Sequence, residues 1–154
     1  MKKTLFTTII LFMGIIQTQA QHFVDQDATG ANDGTSWANA YTNLDTALFY
    51  WDVALSHQEI WVAEGIYTPG DGTNRDASFN AKAYMFGGFD GTETSRGDRD
   101  PKTNLTILSG DLQGNDNGNV SWAEPTRSDN SYSVVYTSGL WRIDGFIIEG
   151  GHAN

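Results

Sequence analysis

The chain of 154 residues contains no cysteine, which excludes both a disulfide framework and a lipoprotein attachment site. The fold must therefore hold without covalent staples. Basic residues are scarce: nine Lys/Arg stand against nineteen Asp/Glu, a formal net charge of −10. Without Lys2 and Lys3 the balance is seven against nineteen, or −12. Nucleic acid and anionic membranes need clustered cations, so this balance disfavours both as partners. It is compatible with neutral glycans, basic partners or divalent cations. The three histidines, His22, His57 and His152, are scattered and match no zinc spacing. Long apolar runs are also missing. The longest, residues 5–16, falls short of the ~20 residues needed to span a bilayer. It lies between the basic pair Lys2-Lys3 and the small-residue site Thr18-Gln19-Ala20, the pattern of a cleaved export signal over residues 1–20. No membrane span is expected in the mature chain.

Glycine is plentiful, with 17 residues, and Asn, Asp, Ser and Thr are common, a composition that favours turns between short strands. Residues 59–69 set the grammar: an apolar β-run with Ile60 and Val62 at alternate positions, a bend at Gly65, then a second short run. Similar runs recur at 84–89, 105–110, 132–139 and 141–151, where Ile143, Phe146 and Ile148 are expected core residues and Gly145 marks a bend. Residues 22–25 predict a first strand. Only one stretch has helical spacing: Trp37, Tyr41, Leu44, Leu48, Trp51 and Leu55 share one helix face. Thr42 and Asp45 form a candidate capping pair, which predicts a helix over 43–54. These readings divide the chain into an export signal (1–20), an N-terminal strand, polar loop and capping helix (21–56), and the first rungs of a solenoid (57–154).

Three further stretches carry a resemblance: His22-Phe23-Val24-Asp25 with residues 30–41, Glu59-Ile60-Trp61-Val62-Ala63-Glu64-Gly65-Ile66-Tyr67, and Ile143-Asp144-Gly145-Phe146-Ile147-Ile148-Glu149-Gly150-Gly151. With residues 87–96 and 108–111, they make the whole mature chain resemble the N-terminal region of secreted right-handed parallel β-helix proteins. These are pectin-lyase-like surface proteins of Bacteroidetes-type bacteria. The resemblance implies an all-β, right-handed parallel β-helix with an N-terminal amphipathic capping helix, exported to the extracellular or outer-membrane surface of a Gram-negative cell. It also implies further rungs after Asn154, so that the open C-terminal end is expected to meet downstream rungs or another chain.

Candidate chemistry is thin. Residues 111–130 are long enough for a functional or ordered surface loop. Within them Asp111, Asn115, Asp116, Asn117 and Asn119 gather hard oxygen ligands of the kind calcium takes, without a fixed calcium-loop spacing. The opening Asp25-Gln26-Asp27-Ala28-Thr29-Gly30 also resembles a calcium loop, but Ser36 stands where its bidentate Glu belongs. Lyase-type catalysis would need clustered acids with a base: Asp111, Asp116 and Asp129, with Arg127 or Arg142. None falls in a recognisable catalytic motif, and no catalytic or cofactor-binding residue is assigned. Trp61, Trp122 and Trp141 are candidate sugar-stacking aromatics. The expected function is an exported binding or adhesion scaffold with carbohydrate as the favoured ligand class and no catalysis of its own. The alternative is the N-terminal part of a polysaccharide lyase or glycoside hydrolase whose catalytic rungs lie downstream.

Overall fold

The computed structural model describes residues 21–50, 58–137, 139 and 142–153. The expected export signal, the helical positions Trp51 and Leu55, and Trp141 lie outside the described residues. Three parallel sheets organise the described residues. The first joins β1 (Gln21–Val24), β2 (Glu59–Ala63), β5 (Tyr84–Phe89) and β8 (Arg142–Asp144) in that order. The second joins β3 (Gly65–Tyr67), β6 (Thr106–Ser109) and β9 (Phe146–Glu149), and the third pairs β4 (Phe79–Asn80) with β7 (Val135–Tyr136). The helix α1 (Leu44–Tyr50) packs against β1 and β4.

The first sheet reads as near-continuous apolar sequence because both of its faces are covered, as parallel sheets require. Register aligns Ile60 with Met85 and Ile143, and Phe23 with Trp61 and Phe86. Ile60, Val62 and Met85 face the main core, where Leu44, Ala47 and Leu48 from α1 meet Phe79, Ala81 and Leu108. On the opposite face Trp61, Phe86 and Phe89 form a second, aromatic cluster with Phe23, Trp37 and Tyr84. Trp61 and Phe89 stack at 4.8 Å between ring centroids, and Trp37 meets Phe23 edge-on at 4.8 Å. Fully burying one such side chain contributes roughly 1.5–3 kcal/mol, and aromatic pairs add about 0.5–1.5 kcal/mol.

The expected β-helix is corrected by this arrangement. The described residues form a small α/β-type domain with parallel sheets and only 28% strand, in which no solenoid is evident. Strands of the first sheet begin at residues 21, 59, 84 and 142, so the segments between successive strands differ widely in length. Short apolar runs punctuated by glycine look alike in sequence, but the segments between them decide whether they become equal rungs. The helix is corrected as well. Its apolar face, Leu44, Ala47 and Leu48, belongs to the main core and packs beside β1, the edge strand of the first sheet. Its N-cap is Asn43, whose Oδ1 accepts the Thr46 N–H at 3.2 Å, rather than Thr42. Asp45 does not reach back; its carboxylate accepts the Gly70 N–H at 2.7 Å. Trp37 and Tyr41 precede the helix, Tyr41 bridging Val24 of the first strand. Ile143 and Phe146 pack against the core, while Ile148 is 50% exposed on the outer strand of its sheet. Among the described residues no helix is long and apolar enough to cross a membrane.

Candidate functional site

An open groove of about 860 Å³ runs over the aromatic face of the first sheet, lined by Gln21, Glu59, Trp61, Arg96, Arg99 and Arg142 among others. Beneath the lining lies Phe86, only 1% exposed, with three guanidinium groups over its ring. The Cζ atoms of Arg96, Arg99 and Arg142 lie 4.6, 5.3 and 5.4 Å from the Phe86 ring centroid. A guanidinium within about 6 Å of an aromatic face is attracted by the ring quadrupole. The buried aromatic floor therefore gathers cations that the sequence disperses.

Each arginine is delivered by a different element. Arg142 opens β8, directly beside Tyr84 in the sheet register. Arg96 stands in a single 3₁₀ turn, Arg96–Asp98, capped by Ser95, whose Oγ accepts the Gly97 N–H. The loop before that turn is fixed at two points. Glu93 accepts the backbone N–H groups of Asp90, Gly91 and Thr92, and its own carbonyl accepts the Trp37 indole N–H at 2.9 Å. Arg99 is the most enclosed of the three, its side chain 15% exposed. It donates to the Gly87 carbonyl at 2.9 Å, the Asp144 carbonyl at 3.2 Å and the Asp144 carboxylate at 2.5 Å.

Two carboxylates answer the three cations. Asp144 accepts from Arg142 at 2.6 Å as well as from Arg99. The hydrogen bonds from Arg142 and then Arg99 hold its carboxyl below the usual carboxylate range. Glu59 pairs with Arg96 through Oε1 and accepts the Trp61 indole N–H through Oε2 at 2.7 Å. Arg96 and Arg142 remain about half exposed, 46% and 57% at the side chain. The groove thus offers three arginines to two carboxylates, with two of the arginines about half exposed, a set suited to hydrogen-bonding polar, oxygen-rich ligands.

The calcium candidates sit elsewhere, in the loop between β6 and β7, where most of their polar atoms are bonded within the loop. Both Asp111 oxygens accept backbone N–H groups, from Asn115 at 3.1 Å and Asp116 at 2.9 Å. Asn117 and Asn119 donate to the two oxygens of Glu124 at 3.1 and 2.7 Å. Asn115 lies 3.4 Å from Asp129. Asp116 pairs with Arg127 at 3.0 Å and accepts from Asn130 at 2.9 Å. Both of these partners engage Oδ2 of Asp116, and its buried Oδ1 has no hydrogen-bond partner among the described residues. Among the described residues no group of three or more His, Asp or Glu is placed to hold a metal ion. At the earlier candidate loop, Asp25 accepts the Asp27 N–H at 2.9 Å, an ordinary Asx turn.

The acids considered for catalysis, Asp111, Asp116 and Asp129, are brought together with Arg127 in that same loop, whereas Arg142 lies in the groove. The aromatic candidates separate too. Trp61 is 3% exposed in the aromatic cluster and borders the groove only along its small exposed edge, while Trp122 is 81% exposed. Sequence reasoning passed over Arg96, Arg99 and Glu59 as functional residues. The one available signal was the clustering of Arg96, Arg99 and Lys102 in an otherwise acidic chain. No protein-family model matches this chain, and no curated protein or solved structure matches it either.

Proposed function

We propose that this chain is an exported glycan-binding protein that acts by recognition rather than by catalysis. The observation that carries this reading is the open groove above Phe86, where Arg96, Arg99 and Arg142 meet Glu59 and Asp144. Planar guanidinium and carboxylate groups are the side chains that grip vicinal hydroxyls and ring substituents in pairs. The groove is open rather than enclosed, which suits a segment of a polymer more than a small metabolite enclosed on all sides. The export part of the reading rests on residues 1–20, whose pattern is that of a signal peptide.

Isothermal titration of the protein against soluble polysaccharides, neutral and acidic, tests this reading. Saturable binding weakened by Arg142→Ala, with far-UV circular dichroism unchanged, is the expected result. Failure of every polysaccharide to bind, or binding indifferent to Arg142, sinks it.

A further inference from the structure

The three arginines of the groove do different jobs, and the difference points to the class of sugar. Arg99 is fixed by three hydrogen bonds and largely enclosed, so it shapes the groove and anchors Asp144. Arg96 and Arg142 each direct one nitrogen to a carboxylate, lie over the Phe86 ring and keep about half of the side chain exposed. Their internal partners are carboxylates, so the groove is already furnished with the chemistry that these guanidiniums select. Glu59 cannot follow Arg96 outward, because its second oxygen is tied to the Trp61 indole N–H and its side chain is only 14% exposed. Arg96, on a surface turn and 46% exposed, is the member of the pair that is free to swing.

We infer that the groove takes a sugar bearing an oxyanion, a carboxylate or a sulfate ester. The ligand oxyanion engages Arg96 and Arg142, and Glu59 is the internal competitor that occupies Arg96 until it arrives. The inference rests on the glycan-binding reading above and names the ligand class for the same site. No covalent step is involved: one ion pair, Glu59 with Arg96, is exchanged for another. A planar guanidinium meets a carboxylate or sulfate through two parallel N–H donors, whereas Glu59 gives Arg96 a single oxygen. The exchange therefore favours the ligand. Glu59, once released, remains at the groove wall as an acceptor for a neighbouring sugar hydroxyl.

The test titrates three probes of matched backbone length: a polyuronate, its carboxyl-reduced neutral counterpart, and a sulfated neutral polysaccharide. Wild type, Arg96→Ala/Arg142→Ala and Glu59→Gln are compared. Glu59→Gln keeps an acceptor for Trp61 and removes only the charge. Wild type is expected to bind the polyuronate, the sulfated probe, or both, in preference to the neutral one. The double variant should lose at least about tenfold in affinity, since each charge-assisted bidentate contact exceeds one decade. Glu59→Gln should tighten binding about 2- to 5-fold, the worth of a partly exposed ion pair. Which charged probe binds tells carboxylate from sulfate. Equal binding of the neutral probe, or a Glu59→Gln variant that weakens acidic binding, overturns the inference while leaving glycan recognition standing. Absence of binding to all three probes overturns both.

Discussion

Gly145 joins β8 to β9 and is the tightest backbone approach on the path to the groove. Its φ of +82° lies in the left-handed region, where an L side chain costs about 1–2 kcal/mol. A Cβ placed there would sit 2.5 Å from the Gly87 carbonyl oxygen and 2.6 Å from Arg99 Nη1. The first of these contacts is backbone within the paired sheet and cannot yield cheaply; relieving such overpacking costs about 1–3 kcal/mol. Gly145→Ala is therefore expected to lose about 2–5 kcal/mol, a large share of the roughly 5–15 kcal/mol that holds a domain together. Gly114 supplies the control: its φ is +65° and nothing lies within 4 Å of a Cβ there. Gly114→Ala should show the conformational cost alone, about 1–2 kcal/mol. Urea unfolding of wild type and both variants gives the two numbers, with an unchanged slope confirming that the transition itself is the same. Equal losses in the two variants would refute the close approach of Gly87 and Gly145. A neutral Gly145→Ala would refute the left-handed bend as well.

Three other expectations follow from the packing and charges. Phe79 is 1% exposed in the main core, so Phe79→Ala should destabilise by about 3–5 kcal/mol in the same assay; a loss under about 1 kcal/mol would place it outside the core. Burial raises the Asp45 carboxyl despite the Gly70 N–H, so the folded state holds that proton more tightly than the unfolded chain. The favourable contribution is complete below the unfolded value near 3.8 and disappears as pH rises through the raised folded value. Asp45→Asn, which keeps an acceptor for Gly70, should accordingly be more stable than wild type at pH 7 and not at pH 3, and urea midpoints at the two pH values check the sign. Arg127 already faces Asp116, so millimolar calcium should move the thermal midpoint by less than about 1 °C relative to EDTA. Saturable calcium binding would raise it by several degrees and would restore the loop at 111–119 as a metal site.

How much of this was legible depended on whether the signal was local. Ile60, Val62 and Met85 lie in apolar runs whose length and β-branching mark strands, and the bends at Gly65 and Gly145 are where the sequence places them. The number of residues between runs was equally visible, but the resemblance to a repeating fold outweighed its irregularity. The Asn43 cap was missed because Thr42 and Asn43 are both good caps, and only the tertiary contact of Asp45 with Gly70 separates them. A repeated local device was readable and passed over. Asp33-Gly34-Thr35, Asp71-Gly72-Thr73 and Asp90-Gly91-Thr92 each fold so that Asp Oδ1 accepts both the Thr N–H and the Thr hydroxyl across a left-handed glycine. Those bonds depress all three carboxyls. The groove was not legible, because Glu59, Arg96 and Arg142 are distant in sequence and meet only through the pairing of β2, β5 and β8.

Stability alone gives a weak account of that meeting. Exposed ion pairs contribute about 0–1 kcal/mol each, and an exposed cation over an aromatic ring about 0.5–1 kcal/mol. Arg99, enclosed and triply bonded to Gly87 and Asp144, has a structural reason to be where it is. Arg96 and Arg142 have less: among the described residues each makes one side-chain hydrogen bond and a contact with the Phe86 ring, and stands about half in solvent. The chain has only five arginines, and three of them converge on one phenylalanine, with two carboxylates between them. Like charges brought this close repel unless counter-ions intervene, and two carboxylates leave one guanidinium uncompensated. In a protein of net charge −10, abundant acid elsewhere on the surface was available to disperse these cations into separate pairs. Their concentration over a single buried ring, with the surplus charge facing an open groove, is what an incoming anion would complete.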